Sequence, residues 1–153
     1  MNETQSILNL SNEVVDFLNK GYRCSEAVLK VYGKSFGLEE ELAVKMGCAL
    51  GGGLGGSGDT CGAIVGSILI IGLKFGRINN IDSNTKSQID EMVREYIFNF
   101  KKIHKSINCS NMIGFDRSSE SGRKQAIESG VIKKLCPRYV KDAAILLEQI
   151  LNK

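Results

Sequence analysis

Four of the five cysteines in this 153-residue chain stand where a helix is expected to begin. They are Cys24, Cys61, Cys109 and Cys136. The first turn of a helix carries unpaired N–H groups and a partial positive charge, so a thiol placed there ionises more readily. The thiolate is the form that binds metals and exchanges disulfides. The placement therefore predicts thiol or metal chemistry, without deciding between the two.

The fifth cysteine differs from the other four. Cys48 falls late in a predicted helix, where the helix dipole disfavours a thiolate. We interpret it first as a packing residue and second as an auxiliary metal ligand.

A glycine-rich run over 51–58 leads into Cys61. The run matches the G-x-G-x-x-G pattern of dinucleotide-binding folds, but no strand precedes it, so that motif is not predicted. A P-loop is not predicted either, because Asp59 stands where that motif needs lysine. Such a glycine-rich run can turn several N–H groups towards an anion or a sulfur atom, although a flexible turn or a close backbone contact explains it equally well. The residues that we expect to surround the thiols are Gly52, Gly53, Gly55, Thr60 and Gly62.

No other set of residues predicts catalysis. His104 is the only histidine, and its neighbours Phe100 and Ile97 on the same predicted helix favour a packed or half-exposed ring. We find no paired carboxylates.

The elements that must position the cysteines are helices, because helical periodicity covers most of the chain and no alternating run is long enough for a sheet. The predicted helices cover 4–20, Cys24 or Ser25 to about Gly37, 39–49, 61–75, Ser83 or Asn84 to about Ser106, 109–112, and Pro137 to about Ile150. Segment 115–130 is polar and is predicted to be a loop or a weak helix. The prediction is an all-α fold: one compact domain over 1–153, with about five to seven helices and a Gly-rich loop.

Two glycines predict a close helix contact. Gly62 and Gly66 lie four residues apart in the fourth predicted helix, so they leave a bare face that another backbone can approach.

Composition and charge exclude several function classes. The net charge of +3 is small and the basic residues are scattered, so we expect no nucleic-acid partner. The longest apolar stretch, 61–75, is shorter than the roughly 20 residues that a membrane span needs, so we expect a buried helix and no membrane association. The N-terminal residues 1–5 lack the features of a signal peptide, which predicts a cytoplasmic protein. Thiols stay reduced in that compartment, which favours metal or redox chemistry over structural disulfides.

The order of the cysteine and glycine motifs is informative as a set. The segments concerned are 21–28 (Gly-Tyr-Arg-Cys-Ser-Glu-Ala-Val), 51–55, 61–66 (Cys-Gly-Ala-Ile-Val-Gly), 72–76, 106–109, 113–114, and Cys136 with 139–140 and 142–144. This set resembles the C-GCAxxG-C-C family of redox-active proteins over nearly the whole chain, and Cys-Gly-Ala-x-x-Gly is its most specific part.

The resemblance implies a redox function and identifies Cys24, Cys61, Cys109 and Cys136 as the hallmark cysteines. A related domain in a multihaem cytochrome is associated with an iron–sulfur cluster, so the resemblance makes such a cluster, most simply [2Fe–2S], the leading expectation. It does not imply haem attachment, because this chain has no Cys-x-x-Cys-His.

Three hypotheses remain open at this point. In the first, the four cysteines bind an iron–sulfur cluster, and the protein is an oxidoreductase or an electron-transfer component with a redox partner protein. In the second, a metal-free thiol–disulfide protein, Cys61 attacks and Cys24 or Cys109 resolves. In the third, the four thiolates bind a structural zinc ion, which accepts the same ligands. The sequence leaves open whether the chain forms a homodimer.

Overall fold

The computed structural model describes residues 2–153, which contain eight α-helices and no strand. The helices are α1 (Glu3–Asn19), α2 (Cys24–Gly33), α3 (Glu40–Cys48), α4 (Gly62–Phe75), α5 (Ser83–His104), α6 (Cys109–Ile113), α7 (Glu120–Glu128) and α8 (Val131–Leu151). One turn of 3-10 helix, Lys34–Phe36, follows α2. The predicted all-α class is confirmed, with one helix more than the largest number predicted.

Helices α2 and α4 pack closely at the centre of the main core. A methyl group at Gly66 of α4 would lie 3.2 Å from Cβ of Val28 and 3.3 Å from the carbonyl oxygen of Ser25, both in α2. The two helices therefore approach closely at Gly66, as expected for the predicted bare face. The same helix buries Ile64 and Ile70 completely.

The remaining helices complete two apolar clusters. In the main core, α1 packs along α8, and α8 also contacts α4 and α5. Fully buried side chains there include Val14, Val28, Ile64, Phe100 and Leu147. The second cluster, here called the small core, contains Cys109, Ile113 and Ala126, with Phe115, Val131, Ile132, Cys136 and Tyr139 packed against it.

The last helix begins earlier than predicted. It starts at Val131, directly after Gly130 with a φ of 75°, so Pro137 lies inside α8. Proline has no N–H, so Pro137 cannot donate the helical hydrogen bond to the carbonyl of Lys133. The helix continues past Pro137 without this bond. Cys136 therefore lies in the second turn of α8, and the prediction that it opens a helix is wrong.

Segment 115–130 contains a well-defined helix, α7. The hydroxyl of Ser119 accepts a hydrogen bond of 2.9 Å from the N–H of Gly122 and so caps its N terminus. Ala126 is fully buried in the small core, which supplies the tertiary contact that an otherwise polar helix needs.

Within residues 2–153, no helix has the length and apolar character required to span a membrane.

Candidate functional site

The four predicted cysteines line a single cavity of about 720 Å³. Cys24 begins α2, Cys61 is the N-cap of α4, Cys109 begins α6, and Cys136 lies within α8. Cys61 and Cys109 are only 7% and 9% exposed, whereas Cys24 and Cys136 are partly exposed. The fold thus brings together side chains that are far apart in the sequence.

Cys24 and Cys61 form a hydrogen-bonded pair. The Cys61 thiol donates to the Cys24 sulfur and lowers the pKa of Cys24 to about 6. Backbone N–H groups of Gly52, Ser25 and Ala63 lower it further, against the opposing effect of burial. The same hydrogen bond, together with burial and the charge of Cys24, raises the pKa of Cys61 well above its usual value. At neutral pH the metal-free pair is therefore one thiolate and one thiol.

Side-chain and backbone hydrogen bonds fix the N terminus of α2, where Cys24 lies. The Ser25 hydroxyl donates to the carbonyl of Gly47 in α3 at 2.6 Å. The carboxylate of Glu26 accepts from the N–H of Arg23 at 2.7 Å, as in half of a capping box. These bonds hold Cys24 against the end of α3.

A short backbone pairing places Cys61 beside Cys109. Within the described residues, the one β-type bridge is antiparallel and joins Thr60 to Asn108. Next to this bridge, the N–H of Cys61 donates to the carbonyl of Ile107 at 2.7 Å. The N–H of Cys109 donates to the carbonyl of Asp59 at 2.6 Å. Two of the four cysteines are therefore brought together by main-chain bonds that their spacing does not reveal.

Three of the five residues expected to surround the thiols lie beside a cysteine: Gly52 and Gly53 of the glycine-rich loop, and Gly62 at the start of α4. The N–H of Gly52, which lines the cavity, donates to Cys24. A methyl group at Gly62 would lie 2.6 Å from Sγ of Cys24, and one at Gly53 would lie 2.7 Å from Cβ of Cys109. A side chain at Gly53 or Gly62 would therefore collide with a cysteine.

Gly53 and three other predicted residues lie outside the cavity lining. Gly55 is on the exposed part of the loop, and Thr60 is held in the bridge. Cys48 is exposed at the end of α3, so its prediction as a packing residue is wrong. Its carbonyl accepts a hydrogen bond of 2.7 Å from Nη1 of Arg23, but its side chain faces solvent.

The second pair of cysteines has raised pKa values. Burial raises the pKa of Cys136 to about 12, and the charges of Cys24 and Cys109 act in the same direction. Burial also raises the pKa of Cys109, while the charge of Arg117 opposes the shift. The four sulfurs thus lie within electrostatic range of one another.

Two arginines that line the cavity were missed by the sequence analysis. Arg23 precedes Cys24, and that adjacency was a usable signal. Arg117 belongs to the segment predicted as a loop or a weak helix, and nothing in the sequence places it near Cys109. Its Nη1 lies 3.9 Å from Sγ of Cys109, and its backbone is held by Ser110, whose hydroxyl accepts from the Arg117 N–H at 2.9 Å. The carbonyl of Arg117 accepts from Arg123 of α7 at 2.9 Å.

The cysteines line one cavity without forming a preorganised site for a single ion. Across residues 2–153, no three His, Cys, Asp or Glu side chains form a group suited to a metal ion. In a tetrahedral zinc site the thiolate sulfurs lie about 3.8 Å apart, since each Zn–S bond is about 2.3 Å. The zinc hypothesis therefore lacks a ready-made site in the described chain.

His104 is packed, as predicted. Its side chain is 6% exposed and lies against Phe100 and Tyr139, with ring centroids 4.6 Å and 5.0 Å away. Its Nε2 is 2.9 Å from a carboxylate oxygen of Asp142.

An all-helical fold with four cysteines around one cavity defines a thiol-based site. The chain belongs to the family described as "Putative redox-active protein (C_GCAxxG_C_C)", which matches residues 22–150 and thus all four cavity cysteines. The resemblance drawn from the motifs is confirmed. Searches of curated proteins and of solved structures found no match.

Proposed function

We propose that the cavity is a redox centre that holds an iron–sulfur cluster, with Cys24, Cys61, Cys109 and Cys136 as its thiolate ligands. The observation that carries the proposal is that all four cysteines, far apart in the sequence, line one cavity. Four cysteine thiolates are the usual ligand set of iron–sulfur clusters, and in a [2Fe–2S] cluster they are divided between two irons. Such a set is more widely spaced than the ligands of one ion.

The surroundings of the cysteines suit such a group. The missing side chain of Gly62 leaves room for the Cys24 sulfur, and the N–H groups of Gly52 and Ala63 donate to it. Hydrogen bonds to sulfur tune the potential of a cluster. Arg117 offsets negative charge at Cys109 and Cys136. When bound, the cluster would supply one-electron transfer.

The cysteines themselves predict proton release on binding. In the metal-free protein at neutral pH, Cys24 is ionised, whereas the raised pKa values keep Cys61, Cys109 and Cys136 protonated. Ligation requires thiolates, so three protons must leave and the affinity must rise with pH.

Anaerobic reconstitution with ferrous iron and sulfide tests this proposal. We expect visible absorption and about two irons and two acid-labile sulfides per chain for a [2Fe–2S] cluster. Cys48→Ser should incorporate the same amount, because Cys48 does not line the cavity. A colourless, iron-free protein after reconstitution would exclude a cluster.

A second candidate function is favoured by the hydrogen bond between Cys24 and Cys61. Here the metal-free pair reduces a disulfide substrate. The Cys24 thiolate attacks one substrate sulfur, the other leaves as a thiolate, and a mixed disulfide forms. The Cys61 thiol gives its proton to the first substrate thiolate, and its sulfur then attacks Cys24 and expels the second substrate sulfur as a thiolate. Two electrons pass to the substrate and a Cys24–Cys61 disulfide remains.

This scheme reverses the roles assigned from the sequence. Cys61 was expected to attack, but Cys24 has the lowered pKa and is the thiolate at neutral pH. Mild oxidation of metal-free protein should remove two of the five free thiols and yield a Cys24–Cys61 cross-link by peptide mass spectrometry. An unchanged thiol count would rule this candidate out.

A further inference from the structure

The cavity carries an excess of positive charge: four cations line it, against the single thiolate of Cys24 in the metal-free protein. Lys20, Arg23, Arg117 and Lys133 all line it, and no aspartate or glutamate does. None of these four cations forms a salt bridge within residues 2–153, where the ion pairs involve other basic residues. Lys20 and Lys133 are exposed, whereas Arg23 and Arg117 are partly buried. The charge therefore extends from the entrance towards the cysteines.

The rest of the wall is largely apolar. Aliphatic side chains of Leu18, Met112, Ile113 and Ile132 line the cavity, and Ile127 lies at its exposed side with 67% of its surface accessible. The volume of about 720 Å³ falls within the range of about 300–1,000 Å³ that is typical of small-molecule sites. A cavity of this kind suits a ligand with both an anionic and an apolar part.

Arg117 supplies the specific feature. Its Nε is buried and has no hydrogen-bond partner in the described part of the chain, and its Nη1 approaches only the sulfur of Cys109 among side chains. A buried donor without a partner is unfavourable unless a ligand or water satisfies it. The Nε edge of a guanidinium matches two oxygens of a carboxylate or phosphate.

We propose that the cavity binds a small organic oxyanion with an apolar body, a carboxylate or a phosphate monoester. The oxyanion pairs with Arg117, the apolar body lies against the aliphatic wall, and Lys20 and Lys133 attract the ligand at the entrance. This inference concerns binding and does not depend on the redox chemistry proposed above. The competing explanation is that the cations serve only to balance the charge of a metal–thiolate group.

Calorimetric titration with phenyl phosphate tests the proposal, with benzyl alcohol as the uncharged analogue and inorganic phosphate as the anion without an apolar body. We expect phenyl phosphate to bind one per chain to both metal-free, reduced protein and reconstituted protein, more tightly than either control. Arg117→Gln should weaken binding about tenfold or more, because it removes charged hydrogen bonds.

Two further variants separate a specific effect from a change in folding or in overall charge. Lys133→Gln should weaken binding a few-fold, whereas Lys134→Gln should leave it unchanged. Both lysines are exposed on α8, but only Lys133 lines the cavity. Circular dichroism and thermal unfolding show whether Arg117→Gln is folded.

The inference would be overturned if benzyl alcohol or inorganic phosphate bound as tightly as phenyl phosphate. It would also be overturned if folded Arg117→Gln kept the wild-type affinity, or if Lys133→Gln and Lys134→Gln lost the same affinity. Exclusion of phenyl phosphate from reconstituted, iron-loaded protein would also overturn it and assign the cations to the metal site. If phenyl phosphate binds in an Arg117-dependent manner but no iron is incorporated, the inference holds and the proposed cluster fails.

Discussion

The cavity has two halves that are built differently. One half comes from the N termini of α2 and α4, where Cys24 and Cys61 belong to the main core. The other comes from α6 and α8, where Cys109 and Cys136 belong to the small core. In the first half, backbone N–H groups and a neighbouring thiol surround the sulfur of Cys24. In the second half, the group that favours thiolates is the side chain of Arg117.

This difference indicates how the site is assembled. The α2–α4 half is held by close helix packing and main-chain donors, so it is formed with the main core. The second half is joined to it by the backbone bonds beside the Thr60–Asn108 bridge and by contacts of α8. A group bound by all four cysteines would cross-link the two halves.

The largest expected effect is loss of iron when either half loses a cysteine. Single Ser variants of Cys24, Cys61, Cys109 and Cys136 should each lose most of the iron and sulfide per chain after reconstitution, because an alcohol is a poor ligand in place of a thiolate. Chemical iron and sulfide analysis measures this, with Cys48→Ser as the control. Full incorporation in the Cys109 and Cys136 variants would show that the second half is not part of a metal site.

A smaller effect should follow from filling space in the α2–α4 half. Gly62→Ala places a methyl group 2.6 Å from Sγ of Cys24 and should lower the free energy of unfolding by roughly 1–3 kcal/mol. Gly72→Ala in the same helix meets no atom within 4 Å and should raise it by up to about 1 kcal/mol. Urea unfolding of both variants measures the difference. Equal shifts would mean that Gly62 is not in tight contact with Cys24.

The two halves should also differ in thiol reactivity. Because the pKa of Cys24 is lowered to about 6, its alkylation by iodoacetamide in metal-free protein should be half-maximal near pH 6, lose rate below that pH and level off above it. Cys136, with a pKa raised to about 12, should stay slow up to pH 8. Mass spectrometry of the labelled peptides follows each site.

Variants of Cys61 sharpen that measurement. Cys61→Ala removes the main cause of the lowered pKa, so the midpoint for Cys24 should move upward, towards the ordinary value of about 8.5. Cys61→Ser keeps a hydroxyl donor and should remain nearer to the wild type. A midpoint that does not move in Cys61→Ala would refute the hydrogen bond as the cause.

The smallest effect is expected at the joint between α6 and α8. The Tyr139 hydroxyl donates to the carbonyl of Met112 at 2.7 Å, so Tyr139→Phe should lower the free energy of unfolding by about 1 kcal/mol. Hydrogen exchange should become faster in 109–114 and 131–139 and stay unchanged in 24–33. Uniformly faster exchange would show that the two halves open together.

The sequence predicted the all-α class and most helix bounds because apolar residues recur with a helical period. It also predicted the four cysteines as a set, and the structure places them around one cavity. The predicted start of α8 was wrong. Proline is favoured in the first turn of a helix, so Pro137 was expected to open α8. The helix instead begins at Val131, because Val131 and Ile132 pack against the small core. Helix α7 was uncertain because its residues are mostly polar and its stability depends on burying Ala126.

The chemistry within the cavity could not be predicted from the sequence. The placement of the cysteines at helix starts predicted that their pKa values would all be lowered. The hydrogen bond between Cys24 and Cys61 instead lowers the pKa of Cys24 and raises that of Cys61. That contact, and the approach of Arg117 to Cys109, join residues that no periodic pattern relates. Cys48 was predicted to pack because it lies late in α3. Tertiary contacts determine which face of that helix is buried, and they leave Cys48 exposed.

Iron K-edge X-ray absorption of the reconstituted protein tests the central claim most directly. If the four cysteines hold a cluster, the spectrum will show iron surrounded by sulfur alone with a neighbouring iron atom, and Cys48→Ser will give the same spectrum. Iron bound to oxygen or nitrogen, with no iron neighbour, would contradict the claim and identify the metal as adventitious.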